Sequence, residues 1–305
     1  MTDKLPRPIV KWAGSKRSST EPILKALPKR IGTYYEPFFG GGAIFFALAR
    51  EGRFARAVIS DSNRELIDTL RAVRDDVDAV LVAIRKLCPG RINAAKYNRI
   101  RDSKPRSPAG RAARFLFLNH AGFNGLYRVN RSGKFNVPWG KRKAWKPDTS
   151  NLMTVSMLLR GVLEIVRADW TSIYPQIEIR CRDFGTGGKQ LDLFSSLGPG
   201  DACYFDPPYL PESKTARFVG YTPGGFGLDE HRRLGEIFEK LSSDGVHVVA
   251  SNAAIRGAER IYEDIPGTEI FELACRRAIN SNGKRRGKIA ELLIVNAGKT
   301  GGQEQ

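Results

Sequence analysis

The chain has 305 residues, a formal net charge of +18 at pH 7 and a sequence pI near 10.0. It is long enough for one large domain, or for one domain with an insertion. No apolar run reaches transmembrane length and the N-terminus lacks the apolar core of a signal peptide, which argues against a membrane protein and a secreted one. We therefore expect a cytoplasmic protein, and the positive charge predicts a polyanionic partner.

The positive charge is concentrated in about a sixth of the chain. Between Lys96 and Lys146 there are fourteen lysine and arginine residues and one acidic residue, Asp102, which is a net +13. Aromatic and asparagine side chains are interleaved with these cations. A solvated basic face would explain the charge alone, but this mixture favours nucleic acid as the partner.

Neither the cysteines nor the histidines form a pattern typical of a metal site or of a nucleophilic centre. The four cysteines are widely separated, at positions 88, 181, 203 and 275. Ordinary structural roles suit the three histidines best, which are His120, His231 and His247. We expect reduced, buried thiols and no metal.

Two motifs near the N-terminus suit a small ligand. The first, KWAGSK at 11–16, offers a tryptophan face, a glycine and two lysines, although alone it is typical of an ordinary polar loop. The second, at 33–50, predicts a strand, three glycines and a helix over 43–50. It is not the dinucleotide fingerprint, because Phe45 stands where G-x-G-x-x-G would end. Its helix N-terminus suits a smaller anion, such as an amino-acid carboxylate.

A second predicted strand, 57–60, ends at Asp61, about twenty residues beyond those glycines. An acidic residue at this distance suits the two hydroxyls of a ribose. A nucleoside that carries an amino acid in place of a diphosphate is S-adenosylmethionine, which we expect as the cofactor.

The middle of the chain is predicted to be helical and then irregular. Residues 65–100 show helical spacing that Pro89 and Gly90 interrupt, and 111–119 predicts a further helix. The stretch 119–147 has little periodicity, which in a compact domain is typical of functional or disordered segments. Its aromatic residues argue against disorder, namely Phe123, Tyr127, Phe135, Trp139 and Trp145.

Helices and strands alternate in the rest of the chain. Helical spacing covers 152–166 and 229–241, and strands are predicted at 177–181, 202–205, 246–250 and 292–295. This alternation predicts an α/β fold with a doubly wound, mostly parallel sheet.

The strand 202–205 leads into Asp206-Pro207-Pro208-Tyr209, which suggests a chemistry. Ligands of open α/β sheets bind beyond the carboxyl ends of the strands. The exocyclic amine of adenine is a poor nucleophile, because its lone pair is delocalised, and two acceptors for its N–H hydrogens free that pair. Asp206 and the Pro207 carbonyl are candidate acceptors, and Tyr209 is a candidate to stack on a flipped base. The tetrapeptide alone is just as typical of an ordinary turn.

Together these motifs make the chain resemble the Dam-type DNA adenine-N6 methyltransferases. Eight segments match in the family's order, namely KWAGSK (11–16), YYEPFFGGGAIFF (34–46), SDSNREL (60–66), FLNHAGFNGLYRVN (117–130), GKFNVPWG (133–140), DPPY (206–209), SNAA (251–254) and RRAINSNGKRRGKIAELLIVN (276–296). The resemblance implies a Rossmann-like methyltransferase domain that binds S-adenosylmethionine, formed by 1–70 and 163–305. It also implies an inserted helical target-recognition domain, 71–162, that binds double-stranded DNA.

The resemblance implies direct methyl transfer to a flipped adenine, with GATC as the first expectation for the sequence. The target adenine would be held by Asp206, Pro207, Pro208 and Tyr209. The cofactor would be contacted by Trp12, Lys16, Glu36, Phe38, Gly40, Gly42, Asp61, Asp183, Phe184 and Asp206. DNA would be contacted by Lys11, Asn124, Leu126, Arg128, Asn130, Pro138 and Arg142.

The chain departs from the family at a few positions. Lys141, Arg142 and Lys143 stand where GATC-specific members place an aromatic wedge, and Trp145 is the candidate to replace it. Two other interpretations stay open, a cytosine-N4 or RNA adenine methyltransferase and a non-catalytic DNA-binding relic. We expect a monomer associated with the nucleoid, and the sequence leaves open a cognate restriction endonuclease.

Overall fold

The computed structural model describes residues 5–87, 90–130, 132–162, 164–167, 197–210, 226–276 and 288–297. Several predicted features lie outside the described residues, namely the strand at 177–181, Asp183 and Phe184.

The described strands form one mixed, seven-stranded sheet. They are β1 (Ile31–Glu36), β2 (Phe54–Asp61), β3 (Glu164–Arg167), β4 (Ala202–Phe205), β5 (His247–Ala253), β6 (Thr268–Arg276) and β7 (Lys288–Asn296). The order in the sheet is β3-β2-β1-β4-β5-β7-β6. β1 is parallel to β2 and β4, and β4 is parallel to β5, whereas β7 is antiparallel to both β5 and β6.

The direction of winding reverses between β1 and β4. From β1 the chain moves outward through β2 to β3, and from β4 it moves outward to β5 on the other side. This confirms the doubly wound, mostly parallel, Rossmann-like sheet. In such sheets ligands bind at the carboxyl ends of the strands where the order reverses.

Nine α-helices accompany these strands in the described part of the chain. They are α1 (Thr20–Ala26), α2 (Ala43–Arg50), α3 (Arg64–Asp75), α4 (Val77–Leu87), α5 (Ala94–Asp102), α6 (Pro108–Ala121), α7 (Thr149–Arg160), α8 (Leu228–Ser243) and α9 (Arg256–Glu259). Short 3₁₀ turns span Lys16–Ser18 and Phe123–Gly125. No helix of the described chain combines the length and the apolar character that a membrane crossing needs.

Side-chain caps determine where several helices begin. Asn63 accepts a hydrogen bond from the Leu66 N–H at 3.0 Å, which caps α3. Ser107 accepts one from the Gly110 N–H at 3.1 Å, and Pro108 follows as the first residue of α6. Both patterns satisfy N–H groups that have no partner inside the helix.

The chain divides into two compact units, each built from three segments. The helical unit comprises Met1–Lys16, Gly40–Arg50 and Asn63–Ile165, and the sheet unit comprises Arg17–Phe39, Glu51–Ser62 and Val166–Gln305. The sheet unit buries an apolar cluster that includes Phe205, Phe238 and Val248. The helical unit has a cluster around Tyr97, Phe117 and Val137.

Two elements differ from the sequence expectation. The helical pattern over 152–166 is wrong at its end, because α7 stops at Arg160 and 164–167 is strand β3. Gly161 ends the helix, and the β-branched, buried pair Ile165 and Val166 suits a strand. Strand β6 was not predicted, because its burial is too partial for a clear alternation.

Candidate active site

Three carboxylates lie at the carboxyl ends of adjacent parallel strands of the sheet unit. Glu36 is the last residue of β1 and Asp61 is the last residue of β2, while Asp206 directly follows β4. Glu36 is paired with Ile59 of β2, and Tyr35 is paired with Cys203 of β4. The three acidic residues therefore share one edge of the sheet, at the reversal of strand order.

Glu36 is buried, with 2% of its surface exposed. The Tyr34 hydroxyl donates a hydrogen bond of 2.8 Å to its Oε2. Burial, followed by the charge of Glu36, raises the pKa of Tyr34 well above its ordinary value. Tyr34 therefore stays protonated and keeps donating, which compensates for the burial of the carboxylate.

The turn that follows β1 is tied to the end of β2. The Phe39 N–H donates to the Ser60 carbonyl at 2.9 Å, and the Ser60 hydroxyl donates to the Pro37 carbonyl at 3.2 Å. Phe38 is partly buried and packs edge-on against Phe205, with ring centroids 6.4 Å apart. The predicted cofactor residues Glu36, Phe38 and Asp61 are thus parts of one connected structure.

We call residues 206–209 the acceptor loop. Asp206, Pro208 and Tyr209 are partly exposed, whereas Pro207 is buried. The Tyr209 hydroxyl donates to Glu291 Oε2 at 3.3 Å, and His231 Nε2 lies 3.0 Å from the Pro208 carbonyl oxygen. Burial, together with the charges of Asp206 and Glu291, raises the pKa of Tyr209 well above its ordinary value.

In the helical unit, the KWAGSK motif is held in place by side chains and by glycines. Asn119 of α6 accepts a hydrogen bond from the Lys11 N–H and donates one to the Lys11 carbonyl, both at 2.8 Å. Trp12 stacks on Tyr127, with ring centroids 5.8 Å apart. Lys16 is buried and its Nζ donates to the Gly14 carbonyl at 2.9 Å.

Gly40 is required by its contact with Trp12. Its φ of +50° is in the left-handed region, and a Cβ there would lie 2.8 Å from Cδ1 of the indole. Gly42, with a φ of +66°, directly precedes α2. The structure thus places Trp12 against the glycine turn within the helical unit, a contact that the sequence analysis did not predict.

The irregular segment 122–146 carries all the predicted DNA contacts except Lys11. Lys11, Asn124, Arg128, Asn130, Pro138 and Arg142 are exposed, whereas Leu126 is partly buried. Arg128 Nε donates to Asn136 Oδ1 at 2.8 Å, which holds the guanidinium at the surface. Asn130 Oδ1 accepts from the N–H groups of Ser132 and Lys134, each at 3.0 Å, so this oxygen stabilises a turn.

The aromatic residues of this segment differ in exposure. Trp145 is partly buried, stacked against His120 at 5.8 Å between centroids and edge-on to Phe117 at 5.7 Å. Phe123 is 46% exposed, in a tight turn where Asn124 has a φ of +53°. The exposed aromatic side chain of this segment is therefore Phe123. The sequence analysis named Phe123 only among the aromatic residues and took Trp145 as the wedge candidate, because exposure leaves no signal in residue spacing.

Comparison with known proteins identifies the family. Residues 12–279 match the family model described as D12 class N6 adenine-specific DNA methyltransferase. The chain belongs to this family. It is thus an adenine-specific DNA methyltransferase, and it acts on DNA.

Relatives of the methyltransferase cover nearly the whole chain. It is 34% identical to the Type II methyltransferase M1.LlaDCHI of Lactococcus lactis subsp. cremoris, over 96% of each chain. It is 35% identical to the Type II methyltransferase M.MjaIII of Methanocaldococcus jannaschii, over 95% of this chain and 99% of that one. It is 31% identical to the DNA adenine methylase of Escherichia coli K12, over 95% of each. The interpretations as a cytosine-N4 or RNA methyltransferase, or as a relic, lose their basis.

Within the described residues, the methyltransferase contains no group of three or more His, Cys, Asp and Glu side chains that could hold a metal ion.

Two residues that contact the acceptor loop, His231 and Glu291, were missed by sequence reasoning. Both come from elements far along the chain, and no local motif marks them.

Proposed function

We propose that the methyltransferase transfers a methyl group from S-adenosylmethionine to N6 of an adenine flipped out of double-stranded DNA, at GATC sequences. The observation that supports this most is the common edge of Glu36, Asp61 and Asp206, where the order of the strands reverses. Two prolines directly follow Asp206, and they restrict the backbone of the acceptor loop.

Asp206 and Pro207 are proposed to accept the two N–H hydrogens of the target amine. The proline ring fixes φ of Pro207, so its carbonyl has few directions available. Methyl transfer would form the bond between N6 and the methyl carbon and break the bond between that carbon and the sulfonium sulfur, which would leave as a neutral thioether. The methylated nitrogen would then have one proton to lose, and the Asp206 carboxylate is the base of this loop that would take it. Tyr209 is proposed to stack on the flipped base, because its hydroxyl is bonded to Glu291 at 3.3 Å and its ring position is thereby restrained.

The acidic and aromatic side chains at the edge of the sheet suit S-adenosylmethionine as the cofactor. The partly exposed Asp61 is proposed to bind the ribose hydroxyls. Phe38, which packs edge-on against Phe205, is proposed to offer an apolar ring to the cofactor. When bound, the cofactor supplies an electrophilic methyl group on a positively charged sulfur. Further contacts stay predictions, namely those at Trp12, Lys16, Gly40, Gly42, Asp183 and Phe184.

The cofactor assignment is tested by Asp61→Ala. The variant should weaken S-adenosylmethionine binding about tenfold or more, because the ribose loses an acceptor for two hydrogen bonds. DNA affinity without cofactor should stay unchanged. Calorimetric titration measures both affinities, with Asp75→Ala, an exposed aspartate at the end of α3, as the matched control. Unchanged cofactor affinity in Asp61→Ala would remove this residue from the site.

The segment 71–162 is proposed to be the target-recognition domain. It presents exposed cations, namely Arg128, Lys134, Lys141, Arg142, Lys143 and Lys146. Phe123 is proposed as the aromatic side chain that enters the base stack in place of Trp145, whose ring is already packed against Phe117 and His120. Apolar or aromatic wedges of this kind help to unstack a base pair.

The recognition sequence can be read directly from methylated DNA. Single-molecule sequencing of plasmid DNA from a methylation-deficient host that expresses the protein should show N6-methyladenine at GATC. Methylation of a different sequence would refute GATC while leaving adenine methylation in place. Two of the relatives are named Type II methyltransferases, so the proposal includes a partner endonuclease whose specificity the methylated sequence would identify.

A further inference from the structure

The two prolines of the acceptor loop offer no backbone N–H group that could anchor the loop by a hydrogen bond. Pro207 and Pro208 have no backbone N–H, so the protein can restrain this stretch through carbonyl oxygens and through contacts of the flanking side chains. The Pro207 carbonyl is proposed to accept from the substrate. Of the backbone groups of these two prolines, the Pro208 carbonyl is therefore the one through which the protein can fix the loop without competing with the amine.

His231 of α8 holds this carbonyl. Its side chain is fully buried, and Nε2 lies 3.0 Å from the Pro208 oxygen. Because a carbonyl can only accept, Nε2 carries the hydrogen and donates. Nδ1 faces Asn252 Nδ2 at 3.2 Å and accepts from it.

The orientation of the Asn252 amide is determined in turn by β5. Asn252 is fully buried, and its Oδ1 accepts a hydrogen bond from the Ala253 N–H at 2.9 Å. Its NH₂ group therefore points to His231, which requires the neutral ring with hydrogen on Nε2. Phe226 packs edge-on against the imidazole at 4.6 Å between centroids, which restricts the ring further.

We propose that His231 is a positioning residue for methyl transfer, which fixes the Pro208 carbonyl and thereby the directions of the Pro207 carbonyl and the Tyr209 ring. The inference rests on the proposed role of the acceptor loop. Hydrogen bonds connect β5 through Asn252 and His231 to the loop after β4, so the neighbouring strand fixes the position of this loop. With φ of both prolines already fixed, this single hydrogen bond removes much of the remaining freedom of the loop.

A matched control exists elsewhere in the sheet unit. His247 Nε2 likewise bonds a main-chain carbonyl, that of Ala26, at 2.6 Å, and burial lowers the pKa of His247 as it does that of His231. His247 contacts the end of α1 rather than the acceptor loop. If His231 had only a structural role, replacing His231 and replacing His247 should therefore have similar effects on stability and on the methylation rate.

The experiment compares single-turnover methylation rates of His231→Phe, His231→Gln, His247→Phe and Asp206→Ala with the wild type. His231→Phe keeps the ring shape but removes the donor, and should slow the methyl-transfer step about tenfold to a hundredfold with cofactor and DNA affinities unchanged. His231→Gln keeps a donor and an acceptor and should recover most of the rate. His247→Phe should retain the wild-type rate even where its thermal stability falls.

Each outcome decides the inference. A wild-type rate in folded His231→Phe, or an equal loss in His247→Phe, would overturn it while an inactive Asp206→Ala leaves the proposed chemistry standing. An active Asp206→Ala would overturn both. If His231→Phe does not fold, the test uses His231→Gln and Asn252→Ala. We expect His231→Gln to retain the methylation rate and Asn252→Ala to lose it. A slow His231→Gln together with a wild-type rate in Asn252→Ala would refute the role of His231.

Discussion

At the scale of single residues, the buried histidine beside the acceptor loop is the group whose protonation should matter for stability. Burial lowers the pKa of His231 from 6.5 to about 4, although the Pro208 carbonyl and Glu230 act in the opposite direction. The neutral ring is the form that donates to Pro208 and accepts from Asn252. Protonation of the folded protein would place a hydrogen on Nδ1 against the Asn252 NH₂ group.

The stability of the protein should therefore depend on pH through His231. An unfolded chain binds a proton at this histidine near pH 6.5 and the folded chain only near pH 4. The contribution of the neutral His231 to the free energy of unfolding is complete above pH 6.5 and is lost as the pH falls towards 4. It amounts to about 3 kcal/mol at most. Urea unfolding of wild type and His231→Gln at pH 7, 6 and 5 measures the difference.

The difference between the two proteins should shrink as the pH falls. The pKa values of His120 and His247 are lowered as well, but these residues are common to both proteins, so their effect cancels. A difference that stays constant from pH 7 to 5 would contradict the lowered pKa of His231.

At the scale of elements, the N-terminal segment is held by two asparagines with the same pattern. Asn119 of α6 bonds both main-chain groups of Lys11 at 2.8 Å. Asn151 of α7 accepts from the Arg7 N–H at 2.9 Å and donates to the Arg7 carbonyl at 3.0 Å. Both asparagines are buried. Helices α6 and α7 thus hold the irregular N-terminal segment through its main chain.

The two asparagines allow a matched test of the KWAGSK motif. Asn119→Ala and Asn151→Ala should each lower the unfolding free energy by about 2 kcal/mol, because several partly buried hydrogen bonds to the main chain are lost. Only Asn119→Ala should also weaken DNA binding, because Lys11 is one of the predicted DNA contacts. Thermal unfolding and fluorescence anisotropy measure the two effects. Equal DNA affinities of the two variants would show that the anchoring of Lys11 has no part in recognition.

Sequence patterns predicted most elements but not the contacts between them. The predicted helix at 43–50 coincides with α2, because a glycine turn and a strongly apolar run mark it. The residues of strand β3 were predicted as the end of a helix, because four residues are too few to show a period of two. The chemistry of Asp206 could be inferred from its neighbours in the chain. The bonds from His231 and Glu291 could not, because they depend on which elements meet in the folded sheet.

At the scale of the whole molecule, the charge of +18 predicts affinity for DNA that depends strongly on salt. Much of it lies on exposed side chains of the helical unit, including the run Lys141, Arg142 and Lys143. Arg128 differs from these because Asn136 holds its guanidinium at 2.8 Å. A restrained guanidinium suits the reading of a base, and exposed lysines suit phosphates.

The two roles should separate in a binding experiment. Lys141→Ala and Lys143→Ala should each weaken binding to all sequences alike and reduce the slope of log K against log salt by about one. Arg128→Ala should cost about 1–3 kcal/mol at one base pair of the target and relax the choice there. Methylation rates on the single-base variants of GATC at two salt concentrations provide the measurement, with Lys25→Ala on α1 as the control. An even loss on every variant for Arg128→Ala would assign it to phosphate contact.

The order of strands in the sheet has a consequence for synthesis of the chain. β1 lies between β2 and β4, yet β2 follows it directly while β4 begins only at Ala202. On the ribosome, one edge of strand β1 therefore stays without its partner while the rest of the helical unit, from Gly40 onward, is made. A nascent chain that stalls before Ala202 presents this edge to other molecules, so that slow translation of the middle of the gene should favour aggregation rather than a truncated but folded product.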